Sequence, residues 1–250
     1  EEYLTAHLRG RERARYVTRM FARISRRYDL LNTVMTGGRH YAWRRTATDM
    51  AVGGLTGVAL DVATGTGDLA LALARRPGID RAVGLDLLPQ MVEQARAKAA
   101  TKGLTEKTAI TVGDAMRLPF PDDSFVCVTS GFSLRNMPAN QDNDGIEGAL
   151  TEMTRVVRPG GKVVTLELTP TVSFGMATLI RLYFRHVVPL MGHIVAGNGA
   201  AYTYLPRSVD NFPGTGQLGE LFQRAGLASV GFKTMGLGAV AVHWGAKTKN

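Results

Sequence analysis

The chain has 250 residues, enough for one sizeable α/β domain with a small helical elaboration and too few for two full domains. With 45% hydrophobic and 20% charged residues it is neither disordered nor fibrous; its lone cysteine, Cys127, excludes an internal disulfide and makes a reducing, cytoplasmic compartment the default. Thirty Lys and Arg against 21 Asp and Glu leave a net charge of +9, much of it within 9–45, which suits a polyanionic partner: anionic lipid headgroups, or nucleic acid, for which no recognition motif is present.

Residues 10–50 read as helical, because Tyr16, Met20, Ile24 and Tyr28 recur every four positions until Gly37-Gly38 interrupts them. We take 1–50 as an N-terminal helical cap and 51–250 as the main domain. From residue 57 a new grammar begins: a strand over 58–62, the glycine turn Gly65-Thr66-Gly67, a helix over 69–76, a strand over 81–86, a helix over 89–100 opened by Pro89, and a strand over 109–112. A strand over 125–130 holds Cys127 as a small buried hydrophobe; a helix over 146–157, a turn at Pro159-Gly160-Gly161 and a strand over 162–167 follow. Residues 173–212 are apolar and helix-prone, and Arg181, Arg185, His186 and Pro189 interrupt them too often for a membrane span. An insert there suits a lid over a site. A helix over 217–225 and two strands around Gly236-Leu237-Gly238 end the pattern. The alternation predicts an α/β fold: a Rossmann-like, doubly wound, mostly parallel seven-stranded sheet with N-terminal helices and a helical lid.

The chemistry concentrates at the glycine turn. Gly65-x-Gly67-x-x-Ala70 after a strand, with Asp86 about 20 residues on to bind a ribose, fits a dinucleotide site nearly as well as a nucleoside-sulfonium site. Asp61 ends the strand and Asp68 opens the helix, where a pyrophosphate would otherwise sit. These acids favour a cationic ligand without phosphate, namely S-adenosylmethionine. Asp114, directly after a strand, is placed to accept from an adenine amine while Ala115 offers backbone; a helix N-cap is its alternative role. No metal site is expected.

Together, residues 61–68 (DVATGTGD), Leu85-Asp86, Asp114-Ala115, Leu118-Pro119-Phe120 and Arg158-Pro159-Gly160-Gly161 resemble class I methyltransferases. Residues 21–32 (FARISRRYDLLN), Trp43-Arg44-Arg45, Ser133-Leu134-Arg135-Asn136, Leu166-Glu167 and Tyr202-Thr203-Tyr204-Leu205-Pro206 resemble, more narrowly, the menaquinone and ubiquinone biosynthesis C-methyltransferases. The resemblance implies cofactor contacts at Thr66, Asp86, Asp114, Ala115 and Ser130, beside Asp61, Gly65 and Gly67 of the turn. It implies a polyprenyl quinol as substrate, demethylmenaquinol ahead of a benzoquinol.

Methyl transfer to a ring carbon needs an electron-rich quinol held close to the donor. Arg135 is the expected stabiliser of a developing oxyanion, with His186 or an Arg-held water as base. Tyr202 and Tyr204 are expected at the quinol oxygens, and Phe174, Tyr183, Phe184 and Leu190 along the isoprenoid tail. A tail-bearing substrate would draw the protein to the inner face of the cell membrane, with Arg13, Arg15, Arg19, Arg23, Arg26 and Arg27 attracting headgroups. A small-molecule O- or N-methyltransferase, a non-catalytic scaffold and a homodimer stay open at this point.

Overall fold

The computed structural model describes residues 10–138, 144–170 and 208–249, apart from the side chains of Arg11, Arg13 and Ala14. Most of the expected lid, with His186, Tyr202, Tyr204 and the tail-lining aromatics, lies outside the described residues.

Three helices precede the sheet: α1 (Gly10–Ile24), α2 (Tyr28–Thr36) and α3 (Arg39–Val52). A short 3-10 turn, Ser25–Arg27, separates the first two. Gly37 and Gly38, with φ of 55° and 74°, separate the next two, in backbone that only glycine adopts without strain. Then come β1 (Gly57–Val62), α4 (Asp68–Ala74), β2 (Ile79–Asp86), α5 (Pro89–Thr101), β3 (Thr108–Val112) and β4 (Phe125–Gly131). The second half adds α6 (Asp144–Val156), β5 (Val157–Leu168), α7 (Thr215–Arg224), β6 (Leu227–Met235) and β7 (Val240–Lys247).

The seven strands run in the order β3-β2-β1-β4-β5-β7-β6. Pairings among β1 to β5 are parallel, while β7 runs antiparallel to both β5 and β6. Among the described residues, alternation along the strands feeds two large cores and a small cluster of Ala70, Val92, Ala95 and Ile110. Leu60, Val62 and Val128 pack with Leu150 and Met153 of α6 and Leu218 and Phe222 of α7. Ala59, Val126 and Cys127 pack with Ala47 and Ala51 of α3 and Leu69 and Leu73 of α4. Each fully buried Leu or Phe contributes about 2 kcal/mol relative to exposure, so both helical layers are firmly held. Burial also pushes the Cys127 thiol up to about 12, as a structural cysteine requires.

One expected turn becomes strand. Pro159-Gly160-Gly161 lies within β5, and the pairing with β4 slips between Phe125 and Cys127 to accommodate it. Gly160 takes φ +76°, and a Cβ on Gly161 would stand 2.6 Å from the Val126 carbonyl oxygen. The glycines therefore make a bulge that lets two strands pass closely, which local sequence cannot distinguish from a turn.

Sheet order reverses between β1 and β4, so the chain leaves their carboxyl ends in opposite directions and opens a crevice there. The residues just beyond those ends, Ala63 and Phe132, have φ of 53° and 57°. Non-glycine residues in that region cost energy and cluster where a site demands a particular backbone path.

Candidate active site

Asp61 organises the glycine turn from beneath. Its Oδ2 accepts from Thr64 Oγ1 at 2.6 Å and its Oδ1 from Thr129 Oγ1 at 2.7 Å, tying β1 both to the turn and to β4. Burial pushes this carboxyl up to about 6 against the opposing hydroxyl bonds. The Thr64 N–H donates to the Leu85 carbonyl and the Gly67 N–H to the Thr64 carbonyl, which fixes the loop. Gly67 is needed for more than its φ of +85°: a Cβ there would approach Ala95 Cβ of α5 to 3.0 Å.

Asp86, at the end of β2, accepts the Gly65 N–H at 2.8 Å on one oxygen and the Leu88 N–H at 2.9 Å on the other. Desolvation raises its pKa, while those two backbone bonds and one from Leu87 act in the other direction. Asp114 follows β3 and turns the chain by accepting the Met116 N–H at 2.9 Å, an Asx turn in place of the alternative helix cap.

These groups surround a cavity of about 340 Å³ at the crevice. Its floor is Ala63, Gly65, Asp86, Gly113, Asp114 and Ala115; Leu87, Leu88 and Met91 form an apolar side. The far wall is Gly131, Phe132, Ser133, Asn136, Met137 and Pro138, and the cap closes it with Val17, Thr18 and Phe21 of α1 and Tyr28 of α2. Among the described residues that line it there are two carboxylates and no Lys, Arg or His. No group of three His, Cys, Asp or Glu among the described residues is arranged to hold a metal ion.

The expected contacts thus divide. Gly65, Asp86, Asp114 and Ala115 line the cavity. Asp61 and Thr66 instead border a smaller space behind the turn, and Gly67 makes the close approach to α5. Ser130 is fully buried; its hydroxyl donates to the Val62 carbonyl at 2.8 Å and also meets the Ser133 hydroxyl. The notion that Asp61 and Asp68 offer their charge to a cationic ligand needs correction. Asp68 is held below the usual carboxylate range by Arg44, 3.6 Å away, and Lys98, 2.8 Å away, which overcome its burial. Asp86 and Asp114 are the acids that face the cavity.

Arg135 is also placed differently from expectation. It is buried, and its Nη1 donates to Glu167 Oε2 at 3.0 Å. Glu167 Oε1 accepts the Ser133 and Leu134 N–H groups at 2.5 and 2.7 Å. Desolvation raises the Glu167 pKa against the pull of Arg135 and those N–H donors. The pair holds the backbone of the far wall, whose neighbours Ser133 and Asn136 reach the cavity while Arg135 does not line it. Sequence reasoning passed over the cap residues Val17, Thr18, Phe21 and Tyr28 as cavity walls; the regular apolar spacing of α1 and α2 gives no sign of whether it covers a core or a ligand.

Over residues 9–247 the sequence matches the ubiE/COQ5 methyltransferase family. The chain belongs to that family. This methyltransferase is 44% identical over 215 residues to the demethylmenaquinone methyltransferase of Deinococcus radiodurans, covering 86% of each chain. It is 41% identical over 226 residues to that of Thermus thermophilus, covering 90% of this chain and 99% of the relative. Among solved structures the cyclase SpnF is similar at a TM-score of 0.66 and 18% identity, over 94% of this chain and 96% of its own. A methyltransferase of Thermotoga maritima, described as a possible histamine N-methyltransferase, reaches 0.62 at 19% identity over 92% and 99%. At such identities the likeness is one of fold, and a cyclase on the same scaffold shows that fold alone does not set the reaction.

Proposed function

We propose that the protein transfers a methyl group from S-adenosylmethionine to a ring carbon of a polyprenyl quinol, converting demethylmenaquinol to menaquinol. The observation that carries this reading is the cavity at the sheet reversal, where the described lining residues include two carboxylates and no cationic side chain, in a chain whose relatives at 41–44% identity are named demethylmenaquinone methyltransferases. A dinucleotide would bring two phosphates against the two carboxylates of that lining, with no positive side chain among the described residues to meet them; a sulfonium and an ammonium suit it.

The residues fit such a donor. Each Asp86 oxygen holds one backbone N–H and keeps acceptor capacity for ribose hydroxyls. Leu87, Leu88 and Met91 offer an apolar slot for an adenine, with Asp114 at its edge. Bound there, S-adenosylmethionine supplies an electrophilic methyl group on sulfur and leaves as a neutral thioether. The chain's part is to orient the acceptor in line with that methyl group, to exclude water and to help the quinol hydroxyl lose its proton. Phe132, Ser133, Asn136 and Met137 form the wall on which a ring would rest. Arg135 and Glu167, paired behind that wall, hold its backbone in place for the ring. We assign the proton to His186 or to a water held by Arg135, and a quinol-oxygen contact to Tyr202.

Reaching a bilayer-borne substrate falls to the cap. Arg15, Arg19, Arg23, Arg26 and Arg27 are all exposed. Leu30 and Val34, one helical turn apart on α2, are 54% and 39% exposed. Basic residues beside exposed apolar ones suit shallow, peripheral contact with anionic lipid. Among the described residues no helix is long and apolar enough to cross a membrane.

The deciding experiment incubates the protein with labelled S-adenosylmethionine and a panel of reduced naphthoquinones and benzoquinones, followed by mass analysis. A methyl group gained by the demethylated naphthoquinol is the expected result. Label confined to a benzoquinol, or found on oxygen, would replace this substrate with another.

A further inference from the structure

The cap and the glycine turn meet at one ammonium group that the cavity itself does not use. Lys98 leaves the last turn of α5, and its Nζ lies 2.6 Å from Asp29 Oδ2, 2.8 Å from Asp68 Oδ1 and 3.0 Å from Thr66 Oγ1. Thr66 Oγ1 in turn donates to Asp29 Oδ1 at 2.6 Å. Three stretches remote in sequence are thereby joined: α2 through Asp29, the turn through Thr66 and Asp68, and α5 through Lys98. The Lys98 side chain is 15% exposed and that of Asp29 37%, so their pair is half-buried and screened less than a fully exposed one.

Asp29 follows Tyr28, the residue of α2 that lines the cavity, and a Cβ on Gly65 would touch the Tyr28 ring at 4.0 Å. Thus the carboxylate that grips Lys98 sits beside the aromatic ring covering the glycine turn. Asp29 and Lys98 are themselves absent from the cavity lining. Cutting their bond loosens the roof and leaves the floor's own contacts in place.

We propose that Asp29 and Lys98 form an ionic latch that holds the cap helices down over the cavity. They are positioning residues that set how long a bound donor stays, while Asp86 and its neighbours set what is bound. The latch rests on the reading of the cavity as an S-adenosylmethionine site. Its physical logic is simple: the roof lifts only when Asp29 gives up a partly buried ammonium, and Lys98 keeps Asp68 as a partner whether the roof is open or closed. Asp29→Asn therefore weakens the ionic bond between cap and body, while Lys98→Met removes the ammonium from all three of its partners and leaves only the Thr66–Asp29 hydrogen bond.

The test uses the full chain as wild type, Asp29→Asn, Lys98→Met, the conservative Lys98→Arg, and Lys247→Met. The last breaks a pair with Asp123 that lies outside the cavity lining. Amide hydrogen exchange of residues 10–36 is followed without ligand, and S-adenosylhomocysteine dissociation is followed by stopped flow. In Asp29→Asn and Lys98→Met, exchange in α1 and α2 should quicken and dissociation should accelerate roughly tenfold, a usual size for coupling between two elements. Lys98→Arg and Lys247→Met should stay near wild type. Unchanged exchange and dissociation in Asp29→Asn would overturn the latch, and so would loosening spread evenly over the whole sheet. If the wild type binds no S-adenosylhomocysteine, the cofactor reading fails, and the exchange comparison still decides whether the cap is latched.

Discussion

Burial makes the Asp86 carboxylate harder to ionise, and the Gly65 and Leu88 N–H groups hold it in place against that cost. An amide at this position accepts on one oxygen only. Asp86→Asn should therefore lose one backbone bond and the charge that favours ribose donors, weakening S-adenosylhomocysteine roughly 10- to 100-fold in calorimetry; wild-type affinity would remove Asp86 from the site. Glu167 poses the other residue-scale question. Glu167→Gln removes the carboxylate that Arg135 is paired with and should cost about 3–5 kcal/mol in chemical denaturation. A loss below 1 kcal/mol would show that the far wall does not depend on this pair. Asp86 was legible in the sequence because one short helix and one strand fix its distance from Gly65. The roles of Asp68 and Arg135 were not, because their partners, Lys98 and Glu167, come from other elements that only the folded sheet brings near.

The cap shows how much an element depends on the helix behind it. His40 and Arg44, one turn apart on α3, are in hydrogen-bond contact, and His40 Nε2 lies 3.2 Å from Thr33 Oγ1, whose hydroxyl donates to the Asp29 carbonyl at 2.8 Å. That chain uses a neutral imidazole that accepts from Arg44 at Nδ1 and donates to Thr33 at Nε2. Burial, with Arg44 beside it, accordingly lowers the His40 pKa from 6.5 to about 4. As pH falls through 6.5 the unfolded chain takes up this proton first, so stability present above pH 6.5 is lost progressively down to about 4. Asp61, raised from 3.8 to about 6, acts oppositely: the folded state takes up its proton first, and stability gains as pH falls through that window. The measurement is consequently a difference, urea midpoints of wild type and His40→Gln between pH 4 and 7. Wild type should lose more stability toward acid than the variant, and parallel curves would remove His40 as the titrating group. Element positions read well from sequence where Pro89 opens α5 and where the apolar run around Cys127 makes β4. They failed at Pro159-Gly160-Gly161, where strand contact overrides the local preference for a turn.

For the whole molecule, the net charge of +9 and the exposed arginines of the cap set the expected encounter with lipid. Co-sedimentation should be strong with anionic vesicles at low salt, weak at high salt and weak with neutral vesicles, since the screening length falls from about 30 Å at 0.01 M to about 3 Å at 1 M. Equal recovery with neutral and anionic vesicles would leave the arginines as a solvated face. The doubly wound architecture itself was legible from the alternation of strands and helices. That residues of α1 and α2 wall the cavity was not, since a helix face that covers a ligand has the same apolar spacing as one that covers a core.

The position of β7 has a consequence for synthesis. It is made after β6 yet lies between β5 and β6, and among the described residues it is the one strand that pairs with β6. On a ribosome, then, β6 emerges with nowhere to dock, and the outer edge of β5 stays uncovered until Val240–Lys247 has been released. The sheet is completed by insertion from the tail end, so a nascent chain halted before that point presents two unpaired strand edges to its surroundings.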